Sequence, residues 1–151
     1  MRVGLISDTH GLLRPEALDF LAGSDHIVHG GDIGDPAILE RLARIAPLTV
    51  VRGNNDIAGW ARAIPVTASI DLDGVRIFVL HDLAELGSGP DAGVRVVVSG
   101  HSHRPACSER DGVLYVNPGS AGPRRFTLPI AVAELRIDAG QVAAYLVTLI
   151  P

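Results

Sequence analysis

Five short apolar runs in this chain each lead into side chains that bind metals. VGLIS at 3–7 precedes Asp8 and His10, and HIVH at 26–29 runs through Gly30-Gly31 into Asp32. LTVV at 48–51 precedes Asn54, VRIFVL at 75–80 precedes His81, and VRVVVS at 94–99 precedes Gly100-His101-Ser102-His103. Each run reads as a β-strand. Ligands in open α/β sheets gather at the carboxyl ends of the strands. Side chains delivered there by every early strand describe a cage for more than one divalent cation.

The first half of the chain alternates strand and helix. Pro15 opens a segment whose Ala17, Leu18, Leu21 and Ala22 share one helical face, with Gly23 placed to stop it. Asp35 is the expected N-cap of a second helix, Pro36 suits its first turn, and Ile38, Leu39, Leu42 and Ile45 form its apolar stripe before Pro47. Strand–helix–strand units of this length imply parallel pairing and a buried sheet. The second half reads as hairpins. Residues 66–72 and 75–80 flank Asp73-Gly74, 106–110 and 113–116 flank Asp111-Gly112, and 129–137 and 141–149 flank Asp138-Ala139-Gly140. A short helix and a Gly/Pro loop are expected between Leu83 and Gly93. The expectation is one domain over residues 1–151, with two layers of sheet, α/β at the start and mostly antiparallel at the end.

Composition narrows the function. Hydrophobic residues make up 47% of the chain, enough for a full core, and one Trp, two Tyr and three Phe leave that core aliphatic. A net charge of −4 offers no basic face for a nucleic-acid backbone, so no stable nucleic-acid partner is expected. Two divalent ions would cancel that charge and concentrate positive potential at one place. The single Cys107 rules out an intrachain disulfide and fits a reducing compartment. With no apolar run long enough to span a bilayer, and Asp8 and His10 interrupting any leader-like start, a cytoplasmic location away from membranes is expected.

The ligand types are chemically coherent. Asp8 and His10 stand two apart on an extended segment, so both can project to one side. A carboxylate and an imidazole suit Mn²⁺, Fe or Zn²⁺. Asp32 has two oxygens and is the candidate to bridge two ions, while the two glycines before it let the backbone come close to whatever it binds. Asn54 adds a neutral amide oxygen, and His101 and His103 repeat the spacing of Asp8 and His10. Each piece alone is weak, and the ordered set carries the reading. Among the remaining polar residues, His26 and His29 read as structural. Asp56 reads as orienting a ligand or capping a helix, and Trp60 as packing. Arg14, Arg52 and Arg124 are candidates to meet substrate phosphate, each against a solvated surface role.

Asp8-Thr9-His10, Gly31-Asp32, Gly53-Asn54-Asn55-Asp56, His81 and Gly100-His101-Ser102-His103 together resemble the motif series of the calcineurin-like metallophosphoesterase superfamily. Chain size and the Asn117-Pro118-Gly119-Ser120 turn point to its small bacterial and archaeal phosphodiesterase branch, which includes the retromer subunit of eukaryotes. The resemblance implies an α/β fold, a four-layered α/β/β/α metallophosphoesterase sandwich. It also implies two divalent metal ions per chain, Mn²⁺ before Fe, Zn²⁺, Ni²⁺ or Mg²⁺. Asp8, His10, Asp32 and His103 would hold one ion; Asp32, Asn54, His81 and His101 would hold the other, with a hydroxide between them. Asp32, Asn54 and His81 are then the expected catalytic residues. The implied activity is hydrolysis of a small phosphoester, most simply a diester, with a homo-oligomer open as an assembly.

Two departures from that family matter. Many members carry His where this chain has Asn55, and that His is thought to protonate the leaving group; Asn55 has no proton to give near neutral pH. Many also read His-Gly-His where this chain reads His81-Asp82-Leu83. Leaving groups stable as anions should therefore be favoured. A protein-binding scaffold that keeps the fold without turnover is the alternative. An amidohydrolase barrel is remote, because such barrels need about 250 residues.

Overall fold

A computed structural model describes residues 1–151. In chain order its elements are β1 (Arg2–Ile6), α1 (Pro15–Leu21), β2 (His26–His29), α2 (Pro36–Ala43) and β3 (Leu48–Val50). A 3-10 turn at Gly59–Ala63 then precedes β4 (Thr67–Leu72) and β5 (Val75–Leu80). A second, at Leu83–Leu86, precedes β6 (Val94–Val98), β7 (Ala106–Arg110), β8 (Val113–Asn117), β9 (Ile130–Asp138) and β10 (Gln141–Ile150).

The strands form two five-stranded sheets, ordered β10-β9-β1-β2-β3 and β4-β5-β6-β8-β7. In the first, β1, β2 and β3 run parallel, and the C-terminal hairpin returns to pair β9 antiparallel with β1. The second differs from the expectation of a mostly antiparallel half. β5, β6 and β8 are parallel, and only the edge strands β4 and β7 are antiparallel. The Asp-Gly turns fix each hairpin locally, but they leave open which strand of one hairpin meets the next. The segment from His81 to Gly93 is long enough for a crossover, so β5 and β6 align head to head. That alignment brings His81 and the His101–His103 segment to the same end of the molecule as Asp8, Asp32 and Asn54.

Alternation along each strand sorts the side chains. Val3 and Leu5 of β1, Ile77 and Val79 of β5, and Leu135 and Ile137 of β9 are fully buried between the sheets. Ile6 and Ile27 face the other way and meet Leu21 of α1 and Leu42 of α2. Pro15 starts α1, and Asp35 caps α2 by accepting from Ala37 N–H at 2.9 Å. On the outer face of the second sheet, Leu83 and Leu86 of the 3-10 turn cover Leu80 and Val97. The fourth layer of the expected sandwich is thus a single short turn. Trp60 packs into the helix-side core, as expected of a packing residue. Arg2 ties the layers at one end: its guanidinium donates to Phe20 and Ala22 carbonyls at the end of α1 and to Glu134 of β9. No helix is long and apolar enough to cross a membrane.

Candidate metal centre

The ligand-bearing loops continue the sheet hydrogen bonding past the strand ends. Asp8 N–H donates to Gly31 O at 3.0 Å, His10 N–H to Asp32 O at 2.9 Å, and Gly11 N–H to Ile33 O at 2.8 Å. Gly100 N–H donates to His81 O at 2.9 Å, and Ala121 N–H to Ser7 O at 3.0 Å. To turn their side chains inward, five of the seven candidate ligands take left-handed backbone: Asp8 (φ 55°), His10 (45°), Asp32 (56°), His101 (72°) and His103 (61°). Such residues cost on the order of 1 kcal/mol each and cluster at functional sites. No sequence pattern other than the enrichment of Asp and His in that region announces them.

Two groups of three donors lie within 4.8 Å of one another: Asp8, His10 and His103, and Asp8, Asp32 and His81. Asp8 Oδ1 stands 3.4 Å from His103 Nε2, 3.8 Å from His10 Nε2 and 3.9 Å from His81 Nε2. Asp32 Oδ2 stands 3.2 Å from His81 Nε2 and 3.6 Å from His10 Nε2. Both carboxylates therefore reach both histidine sides, where the sequence pointed only to Asp32. His101 lies outside these groups, and its Nδ1 stands 3.2 Å from Asn54 Oδ1. The His101 ring stands edge-on to His81 at 5.2 Å between centroids.

A cation fits this donor set. Asp8 Oδ1 and His81 Nε2 are buried 3.9 Å apart with no hydrogen bond of good geometry in the chain, the nearest acceptor to His81 Nε2 being Asp32 Oδ2 at 3.2 Å. An unpartnered buried carboxylate oxygen and imidazole nitrogen are costly. Coordination removes that cost, and both atoms are hard or borderline donors suited to divalent first-row metals. His81 Nδ1–H donates to Gly30 O at 2.7 Å, which leaves Nε2 with its lone pair inward, the arrangement a metal-binding histidine needs. Burial pulls His81 toward the neutral form, yet Asp32, the Gly30 carbonyl and Asp8 outweigh it and raise its pKa. Burial works to raise Asp32, but His81 and the Asn55 hydrogen bonds hold its carboxyl well below the ordinary range.

A supporting shell fixes these side chains. Asn55 donates through N–H to Asp32 Oδ1 at 2.9 Å and through Nδ2 to Oδ2 at 3.0 Å, so its amide holds Asp32. Ser7 Oγ and the His101 N–H occupy Asp8 Oδ2, leaving Oδ1 free. Buried Asp56 accepts from the Ile33, Gly34 and Gly53 amides and ties the loop after β2 to the loop after β3. It orients the ligand loops and caps no helix. His29, fully buried, accepts from Gly31 N–H on Nδ1 and donates through Nε2 to Thr9 Oγ1. Desolvation lowers its pKa to about 4, so it is neutral and structural, as the sequence reading held. Asn117 donates to Gly100 O at 2.8 Å and Ser120 to Asp8 O at 3.0 Å, so the turn between β8 and β9 buttresses two ligand loops.

Gly31 and Gly53 also have a packing reason. A Cβ at Gly31, where φ is 101°, would strike His81 Nδ1 and the Gly53 backbone, and one at Gly53 would strike the Asp32 carboxylate. The room they leave is filled by other ligand loops. Leu83, two residues past His81, turns away into the outer cluster.

This geometry, strand ends delivering Asp and His to one buried centre, defines a protein with a candidate divalent-metal site. The calcineurin-like phosphoesterase superfamily domain matches residues 1–140, and the chain belongs to that family. A protein of Methanothermobacter thermautotrophicus described as a probable metallophosphoesterase is 33% identical over 160 residues, covering 97% of this chain and 92% of that one. Among solved structures, Vps29 of Chaetomium thermophilum superposes with a TM-score of 0.78 at 23% identity, covering 98% of this chain and 97% of that one. A structure described as a novel archaeal phosphodiesterase gives 0.76 at 22%, covering 97% and 100%. At these identities the two structures speak for the fold.

Proposed function

We propose that the protein is a binuclear metal-dependent phosphoesterase acting on phosphodiesters, with Mn²⁺ as its working metal. The observation that carries this reading is the pair of buried, unpartnered atoms Asp8 Oδ1 and His81 Nε2 at the convergence of five strand ends. In the proposed centre, Asp8, His10, Asp32 and His103 hold one ion, and Asp32, Asn54, His81 and His101 the other. The 3.2 Å contact in which His101 Nδ1–H donates to Asn54 Oδ1 supports their serving one ion, since it holds the two side chains together and leaves His101 Nε2 as the ring's lone-pair nitrogen. When bound, two divalent ions supply Lewis acidity toward phosphoryl oxygens and an acidified water.

The chain's own part is charge and position. Asp32, held below the ordinary carboxylate range, is ionised throughout the neutral region. Asn55, Ser7 and Gly30 keep each donor atom on its target. Neither His29 nor Asn55 stands ready to protonate a departing oxygen: His29 is buried with both nitrogens engaged, and the Asn55 amide is committed to Asp32. This favours leaving groups that are stable as anions, and diesters over alkyl monoesters. A scaffold without turnover has no use for buried unpartnered donors. The lone Cys107 is consistent with a cytoplasmic setting.

The test is elemental analysis of protein saturated with Mn²⁺ and passed through gel filtration, paired with hydrolysis of bis(p-nitrophenyl) phosphate and p-nitrophenyl phosphate. Two ions per chain and preferential diester turnover are expected. One ion or none sinks the binuclear centre, and bound metal without turnover of either ester favours the scaffold.

A further inference from the structure

Three arginines were candidates to meet phosphate, and two are otherwise engaged. Arg14 Nε donates to Gly122 O at 3.2 Å, and Arg124 donates to the Leu128 and Pro151 carbonyls. Arg52 differs. It follows β3 and lines a groove of about 400 Å³ that opens onto Asn54, His81 and His101. Arg62, from the 3-10 turn at Gly59–Ala63, lines the same groove. Neither guanidinium forms a side-chain hydrogen bond or an ion pair within the chain, although Asp82 and Glu85 also line the groove. Asp82 is turned to other work, accepting from Ala84 N–H and facing His101 at 3.9 Å. Of the three carboxylates along the groove, Asp56 is spent on backbone amides and Glu85 forms no ion pair with either arginine, so both guanidinium groups are open to an anion beside the metal centre. Ile57 and Val66, 85% and 55% exposed, give the groove an apolar wall that no core residue covers.

We propose that Arg52 and Arg62 form a second anion subsite, and that the substrate is an organic phosphoester carrying a further phosphate group beside the scissile one. This rests on the phosphoesterase reading and adds a substrate class to it. Guanidinium presents a planar fork of donors that matches phosphate oxygens in pairs, so phosphate is the anion these residues suit best. With the scissile phosphate at the metal centre, the second lies along the groove at the arginines, and the organic part rests against Ile57 and Val66. A phosphodiester-linked dinucleotide that also carries a terminal phosphate has this layout, and a nucleoside bisphosphate reproduces its two anions for binding.

The test is calorimetric binding of thymidine 3′,5′-bisphosphate and thymidine 5′-monophosphate to the Mn²⁺-loaded protein, repeated at low and high salt. The bisphosphate should bind at least about tenfold tighter, the size of one charge-assisted pairing, with the advantage shrinking as salt rises. In the Arg52→Ala/Arg62→Ala double variant the two affinities should become equal. Arg62→Ala alone, on an exposed turn away from the ligand loops, should lose part of the preference with the fold undisturbed by circular dichroism. Equal affinities in the unmodified protein, or a preference surviving in the double variant, overturns the subsite. Turnover of bis(p-nitrophenyl) phosphate is measured alongside. A bisphosphate preference without turnover keeps the subsite and removes the catalytic reading, and turnover without preference does the reverse.

Discussion

Asp32 combines three properties in one side chain: left-handed backbone, a carboxyl held ionised, and an oxygen between His10 and His81. Replacing it with Ala removes the one oxygen that stands within 3.6 Å of histidines from both proposed ion sites. Activity should therefore fall further in Asp32→Ala than in His10→Ala, with bound metal dropping below one ion per chain by elemental analysis. Equal losses would mean that Asp8, whose Oδ1 also faces both sides, is the bridge. Asn55 is the second test at this scale. Its amide orients Asp32, so Asn55→Ala should weaken Mn²⁺ binding by about 10- to 100-fold, the usual effect of losing a ligand's hydrogen-bond partner, read by competition with a chelating dye. An unchanged affinity would show that the Asn55 contact is incidental. Asn55→His keeps the backbone N–H bond to Asp32 Oδ1 but loses the amide's bond to Oδ2, so any help to poor leaving groups comes with a looser Asp32.

At the scale of elements, the site is a set of loops stitched to one another. Asp56 is the main stitch, joining the loop after β2 to the loop after β3 through the Ile33, Gly34 and Gly53 amides. Asp56→Ala leaves the buried Ile33 and Gly53 amides without an acceptor, each at a cost of about 1–3 kcal/mol. A stability loss of roughly 3 kcal/mol or more is expected in denaturant unfolding, together with loss of bound metal. Asp56→Asn keeps an acceptor oxygen and should retain part of both. A variant that unfolds like the unmodified protein would show that the strand pairing alone holds the loops. Legibility at this scale was uneven. The strands, α1 and α2 followed from apolar period and turn residues. The parallel pairing of β5 with β6 did not, because hairpin turns report only on their own two strands. The Gly59–Ala63 turn was missed for a related reason, since five residues of 3-10 helix carry no apolar period.

Across the whole molecule, acid is the simplest probe of how the buried polar centre is joined to the fold. His29 is neutral in the native state with its pKa lowered to about 4 by burial, against 6.5 for an unburied imidazole. The unfolded chain takes up a proton below about pH 6.5 that the native state refuses until near pH 4. Stability is therefore fully retained above 6.5 and lost as pH falls through that window, by up to about 3 kcal/mol from this group. Denaturant unfolding of metal-free protein at pH 7.5 and pH 4.5 should show that loss, and His29→Gln should flatten the slope. The same slope in both proteins would assign acid sensitivity to other groups. Metal-loaded protein should lose its ions on the same descent, because ligating histidines must be neutral.

The sequence by itself determined the strands and the chemical identity of every candidate ligand. Apolar runs ending in Asp, Asn and His at strand termini are a local property, written in consecutive residues. It also determined that Asp8, Asp32 and Asn54 share one end, because the strand–helix–strand units of the first half imply parallel strands, whereas the parallel pairing that brings His81, His101 and His103 there is tertiary. Tertiary structure decided what local pattern leaves open. It made Asp8 a member of both donor groups, set His101 beside Asn54, turned Asn55 onto Asp32, and left Arg52 free while engaging Arg14 and Arg124. These outcomes depend on left-handed backbone at five ligand positions and on contacts between residues as far apart as Asp8 and Ser120. Only the packing of two complete sheets supplies the free energy to hold such strained turns in place.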